Sequence, residues 1–320
     1  MNISSLQQTV RLGTHIVPGI WRYMLPEDVL YFRVDPEKGS SCFDCPQVKE
    51  QGFHPSVRCC AFLPRIPNFL LGLALLDPAT EGKVGDFVRN GFVIPEGSQV
   101  APQQMRLSLE QVSEYPVQPK VICNFLDQAS KQCGLYAYRN GVCSTFFCKH
   151  DYGADSILFW ESLQDLVAQI ETALSQWALQ EVGFDLDAYF NRFDSLAPHL
   201  AACNQPGGPA WSEWARRTLF QEYFGREIEL FKACAQVVFE QRDHLFEIAS
   251  GFKLRQTEGY DAALRTLELQ YHKASLVAES LPEGVPVTID SIWYGVQLNY
   301  RNLQLAKHKA GGHAADSGPS

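Results

Sequence analysis

Eight of the ten cysteines in this 320-residue chain lie within its first 150 residues: Cys42, Cys45, Cys59, Cys60, Cys123, Cys133, Cys143 and Cys148. Cys203 and Cys234 stand apart in the remainder. Clustered thiols must be held by metal, used in redox chemistry, bridged, or packed as small apolar groups. Each choice fixes how the surrounding chain folds. Charge changes at the same place. Residues 1–150 carry 14 Lys and Arg against 13 Asp and Glu, whereas residues 151–320 carry 13 against 23. A near-neutral, thiol-rich segment therefore meets an acidic one, and the change predicts a boundary near residue 150.

Hydrophobic residues make up 46% of the chain and charged residues 20%, which supplies a real core and excludes a disordered chain. The net charge of −9 argues against a general nucleic-acid binder, which needs a basic face. Polar residues interrupt every apolar group in the first twenty positions, so no secretory signal is legible there. The longest apolar run, 69–76, is far short of the ~20 residues that span a bilayer. The expectation is a cytoplasmic protein with neither membrane nor nucleic-acid partners. In that compartment thiols stay reduced, so the cluster points to metal or redox chemistry.

Spacing sharpens the expectation. Cys42 and Cys45 form a C-x2-C pair, which a tight turn can aim at one ion. Cys59 and Cys60 are adjacent, so on a strand they face opposite ways and on a helix they diverge by ~100°. They suit two ions, or two irons of one cluster. Cys143 and Cys148 would lie ~140° apart on a regular helix. They need a loop or a helix end, and residues 138–141 (YRNG) supply turn chemistry just before them. No ferredoxin run, HExxH, GxGxxG, Walker or GxSxG motif is present. Arg58, Arg139, Lys149 and His150 flank the cysteines as cations that could stabilise bound thiolates, with Arg58 and Arg139 the named candidates for cofactor support. His54 and His150 could ligate, though a lone histidine is more often a surface or hydrogen-bonded residue. Asp127 more commonly caps a turn than orients a ligand. Tyr136, Tyr138, Phe146 and Phe147 are expected to shield the centre. Cys203 and Cys234 read as core thiols.

The arrangement resembles a bacterial family of zinc- or iron-chelating proteins known for its CxxC…CC pattern. The resemblance rests on Cys123-Asn-Phe125-Leu126-Asp127, Cys133-Gly-Leu135-Tyr136, Arg139, Cys143, Phe146, Phe147 and Cys148, with Cys42, Cys45 and Arg58-Cys59-Cys60 as the other half. It covers roughly residues 30–155. The gap between Cys45 and Cys59 is longer than in the compact family form, and Asn140 stands where proline is usual. The flagellin lysine-N-methylases resemble this family in their cysteines, which implies an iron–sulfur centre and a methyltransferase-type activity as an alternative. Thiolates serve zinc and iron alike. The irregular spacings suit a polynuclear centre better, so an iron–sulfur cluster, [4Fe–4S] favoured, is the first expectation and zinc the second.

Elsewhere Pro64 and Pro67 bar a continuous helix. Residues 84–96 read as short extended pieces around Asn90-Gly91. From 155 to 181, Phe159, Leu163, Leu166, Ile170, Leu174 and Trp177 recur at helical spacing, with Asp155 or Ser156 available as a cap. Further helices are expected at 184–196, 211–250, 258–280 and 290–307, with Gly225 and Gly251 as breaks and 204–209 as a loop. The whole reads as α-rich with minor β and irregular structure. A cysteine-rich metal-binding domain with long loops, 1–153, packs on a helical region, 154–308, and 309–320 is a disordered tail. The expected function is a cysteine-ligated metal protein with a redox or sensing role. Alternatives are the methylase-like enzyme and a zinc-stabilised interaction protein that binds a protein partner or substrate on its helices.

Overall fold

A computed structural model of the chain describes residues 4–35, 37, 45–101, 104, 107, 117, 119–147, 149–200, 213–255 and 288–315. Cys42, Cys148, Cys203, the 204–209 loop and the helix expected at 258–280 lie outside these residues.

The described chain is rich in helix. It opens with α1 (Ser4–Gln7), the hairpin of β1 (Val10–Leu12) and β2 (His15–Val17), and then α2 (Trp21–Met24), α3 (Glu27–Leu30) and α4 (Gln47–Glu50). α5 (Asn68–Leu76) and α6 (Glu81–Asn90) lead into a second hairpin, β3 (Val93–Ile94) and β4 (Gly97–Ser98). α7 (Gly141–Thr145) precedes the long α8 (Ala154–Glu181). α9 (Leu186–Leu200), α10 (Glu213–Phe220), α11 (Glu227–Glu240), α12 (Leu245–Gly251) and α13 (Ile289–Ala315) follow. The hairpins are antiparallel, with Val10 opposite Val17 and Val93 opposite Ser98.

α5 begins after Pro67, whose ring fixes φ at the start of the helix. Eight of its nine residues are buried, so it is apolar on every side and runs through the core. It packs chiefly against α11. α8 is the other organising element and touches α7, α11, α12 and α13. Its face of Phe159, Leu163, Leu166, Ile170 and Leu174 is fully buried, each side chain contributing about 1.5–3 kcal/mol. One large core draws on both sides of residue 153, from Leu6 to Leu303.

Buried polar groups join the layers. Asn68 donates its amide to the carbonyls of Pro95 and Ser175 at 3.1 and 3.0 Å. Glu96 accepts from Gln176 and from the Tyr189 hydroxyl, both at 2.9 Å. α13 is fastened to the segment after α3 by Phe32 stacked on Tyr300 at 4.0 Å and by the Arg33 N–H donating to the Tyr300 hydroxyl at 2.9 Å.

Several expectations need correction. Residues 84–90 belong to α6 rather than to extended pieces, because Val84, Gly85 and Val88 share one buried face at helical spacing. Within 84–96 only Val93–Ile94 is a strand, paired with Gly97–Ser98. Over 213–250 the chain forms three helices, α10 to α12, separated by single 3₁₀ turns; the break expected at Gly225, φ 80°, is one of them, and the other, at Arg242–His244, was not expected. α8 takes no side-chain cap: Gly153 holds the cap position, and the Ser156 hydroxyl instead accepts the Tyr152 N–H at 3.2 Å. α13 runs on to Ala315, into the expected tail.

Candidate metal centre

The two cysteine groups are separated by 62 residues, yet one backbone bond joins them: the Cys123 N–H donates to the Cys60 carbonyl at 2.8 Å. On the first side, the N–H groups of Val57 and Arg58 both turn back to the His54 carbonyl, and that of Cys60 to the Val57 carbonyl. This coil presents Cys59 and Cys60 from a turn.

On the second side, residues 125–134 form a small hairpin. The Asp127 N–H donates to the Gln132 carbonyl and the Gly134 N–H to the Phe125 carbonyl, both at 2.8 Å, which sets Leu126 opposite Cys133. The Asp127 carboxylate closes the turn by accepting from the Ser130 N–H at 2.7 Å, the Ser130 hydroxyl at 2.9 Å and the Ala129 N–H at 3.0 Å. These bonds, those from Ser130 foremost, hold its carboxyl below the usual range. Asp127 is thus a turn cap.

The chain then passes through a 3₁₀ turn at Tyr136–Tyr138 to Asn140, whose side-chain oxygen caps α7 by accepting the Cys143 N–H at 3.1 Å. α7 ends at Thr145, two residues past Cys143. The N-terminus of α7 lies directly on α8, where a Cβ on Gly141 would come within 2.9 Å of the Val167 side chain.

The thiols respond to one another. Burial pushes Cys123 up to about 11, and the neighbouring Cys133 adds to the rise. Burial likewise raises Cys143, with Cys123 and Cys133 both contributing. Two kinds of group oppose this. The backbone N–H groups of Phe125 and Leu126 turn back on the Cys123 sulfur. Lys83 and Arg139 act as cations on Cys123 and Cys143 respectively. N–H donors and cations around a sulfur stabilise its thiolate form.

Arg58 and Arg139 are buried rather than solvated, at 9% and 6% exposure. Arg58 donates to the Lys131 carbonyl and so ties the Cys59–Cys60 turn to the hairpin. Both Arg58 and Lys131 sit at positive φ, 53° and 58°, a conformation that costs a non-glycine residue about 1–3 kcal/mol. Arg139 lies over the Tyr136 ring at 3.9 Å and donates to the carbonyls of Cys143, Ile16 and Tyr136 at 3.2–3.3 Å.

Three contributors were not among the residues singled out from the sequence. Lys83 also donates to the Phe125 carbonyl at 3.3 Å. Glu171, deep in α8, accepts the Gly141 N–H at 2.9 Å, and burial raises its carboxyl to about 8. His15, pushed down to about 4 by burial, places Nε2 2.8 Å from the Ser144 carbonyl. A carbonyl only accepts, so Nε2 bears the proton.

Cys123, Cys133 and Cys143 are thus gathered, and Cys60 is tied to Cys123 by the backbone bond, with Cys59 beside it. Cys45 stands at the start of α4, and Cys42 and Cys148 lie outside the described residues. His54 is a turn residue whose Nδ1 accepts the Ser56 N–H at 3.3 Å. His150 faces Glu37 at 3.7 Å, and Lys149 pairs with Glu50 at 2.7 Å. Tyr138 is buried with its hydroxyl on Asp77, and Phe147 packs on the core. Phe146 is 49% exposed and does not shield the centre, because the chain leaves α7 there and points it outward. Cys234 is a fully buried core thiol of α11.

Among the described residues, no three His, Cys, Asp or Glu side chains form a set that could hold a metal ion as they stand. The chemistry of the donors nonetheless suits a thiophilic metal: three thiols within electrostatic reach, a fourth, Cys60, joined to Cys123 through the backbone, two cations and N–H groups on sulfur. No described helix is long and apolar enough to cross a membrane. No family model matches the chain, and no curated protein or solved structure matches it.

Proposed function

We propose that the chain is a thiol-ligated metal protein, its centre built on Cys60, Cys123, Cys133 and Cys143 and filled by an iron–sulfur cluster with a redox or sensing role. The observation that carries this reading is the environment of Cys123. Its sulfur lies within reach of the Cys133 and Cys143 thiols, and two backbone N–H groups and Lys83 oppose the rise that burial imposes on it. The strained Arg58 and Lys131, which flank the cysteines and bond to one another, fit the same reading, since such strain persists where the surroundings over-determine it.

Metal would draw the four sulfurs together and displace their protons, so occupancy should weaken as pH falls. A [4Fe–4S] cluster takes four thiolates; Cys123, Cys133 and Cys143 would supply three, and Cys60, bonded to Cys123 through the backbone, the fourth. The cysteine-pattern family supports the same assignment by resemblance.

The test is anaerobic purification of the full chain with quantification of iron, acid-labile sulfide and zinc. A brown protein with iron and sulfide in equal amounts is expected. A colourless, zinc-replete protein replaces the cluster with a structural zinc site, and a metal-free protein that binds neither on reconstitution sinks the proposal. Cys123→Ser and Cys143→Ser should each lose bound metal, while Cys234→Ser should retain it.

A further inference from the structure

Trp160 lies on α8 with 2% of its surface exposed, and its indole N–H donates to Glu37 Oε1 at 2.7 Å. Glu37 is itself 4% exposed. Its other oxygen accepts the Asp151 N–H at 2.6 Å, and His150 Nδ1 lies 3.7 Å from Oε1. A buried indole needs one acceptor, and any carbonyl would serve. Burying a carboxyl group for that purpose is a costly choice. The pairing has one property that a carbonyl lacks: an indole that has lost an electron becomes acidic at nitrogen, and the carboxylate is placed to take that proton.

Trp160 also sits in a continuous run of rings. Inward, it meets His15 at 5.1 Å and Phe147 at 4.7 Å, and His15 is bonded to Ser144, the residue after Cys143. Outward, it meets Phe159 at 5.1 Å; Phe159 meets Tyr300 at 6.0 Å, Tyr300 stacks on Phe32 at 4.0 Å, and Phe32 meets the half-buried Trp293 at 5.9 Å. The run joins the thiol centre to α13.

We propose that Trp160 and Glu37 form a proton-coupled electron relay between the thiol centre and an outer-sphere one-electron acceptor at the α13 surface. The part that involves the centre rests on the redox reading above. In the relay step the acceptor, a high-potential metal(III) complex, takes one electron from the indole and is reduced to metal(II). The Nε1–H bond breaks, its proton passes to Glu37 Oε1, and a neutral tryptophan radical and a carboxylic acid remain. The buried negative charge is removed in the same event, which favours it in a low-dielectric core. Electron donation by a reduced centre, with return of the proton, restores the pair.

The experiment is flash-generated ruthenium(III) oxidation of the full chain in a Trp214→Phe background, which removes an indole that is 54% exposed. Transient absorption distinguishes the neutral radical from the protonated cation. A long-lived neutral radical is expected. Trp160→Phe should abolish that species, and Glu37→Gln, which keeps the hydrogen bond but not the base, should convert it to a cation. Circular dichroism checks that both variants fold. An unchanged neutral radical in either folded variant overturns the relay, as does its absence from the background protein. In iron-loaded, reduced protein the radical should decay faster, with one cluster oxidised per radical; an unchanged lifetime overturns the link to the centre. A protein without iron overturns the cluster assignment and leaves the photochemical arms to decide the relay.

Discussion

Glu171 is the side chain whose protonation most clearly depends on the fold. Burial lifts its carboxyl from 4.5 to about 8, while its bond to the Gly141 N–H pulls the other way. The native state therefore holds a proton that the unfolded chain releases, so stability falls as pH rises between these values. His15 has the opposite sign: its native value of about 4 lies below the unfolded 6.5, so it costs stability as pH falls through that interval. From pH 6.5 to 8 only Glu171 of the two acts, and the thiols, raised above 9.0, act higher. In metal-free protein, thermal unfolding should show stability falling by up to about 1.4 kcal/mol per pH unit there. Glu171→Gln should flatten the slope while still accepting from Gly141, and an equal slope in the variant assigns it to another group. The sequence held a hint: 167, 170, 171 and 174 share one helical face, and a carboxyl on an apolar stripe is out of place. What it would meet there, the start of α7, was set by the tertiary fold.

Helix existence was legible where an apolar period ran long enough, and α8 shows this at both ends: the period predicted 155–181 and the helix is Ala154–Glu181. It was less legible in α6, where Asn90-Gly91 is a strong turn signal. That turn comes at the end of the helix, and the buried face of Val84, Gly85 and Val88 decides the conformation before it. The approach of α5 to α11 was not legible at all. A Cβ on Gly72 would stand 1.9 Å from the Phe231 carbonyl oxygen and 2.7 Å from the Ala235 side chain. Both helices would have to separate to admit it. Gly72→Ala should therefore destabilise the fold by about 3 kcal/mol, the upper end of overpacking costs, measured by denaturant titration. Gly295, inside α13, meets nothing within 4 Å. Gly295→Ala should instead gain about 1 kcal/mol from helix propensity. Similar effects at the two positions would mean that the α5–α11 contact is softer than it looks.

The molecule divides unevenly between what apolar packing holds and what it does not. The main core runs from Leu6 to Leu303 and is built on α5, α8 and α11. Around the cysteines burial is thinner: Val57, Ala61 and Leu126 form a separate small cluster with Cys60 and Cys123 against it. The clustering of thiols near the front of the chain was plain in the sequence. Which of them meet was not, because Cys60 and Cys123 are joined by a backbone bond across 62 intervening residues, and loop spacing carries no information about such a contact. This thin region is where a crosslink has most to add, since metal binding free energy becomes folding free energy for whatever the ligands order. Chelation should then act locally. Hydrogen exchange of metal-free against metal-loaded protein should show faster exchange at the N–H groups of Cys60, Cys123, Leu126 and Gly134, whose bonds close the two turns. The amides of α5 and the centre of α8, sealed by the large core, should be unchanged. Loss of protection spread evenly over both regions would show that the thiol segment and the helices unfold as one unit.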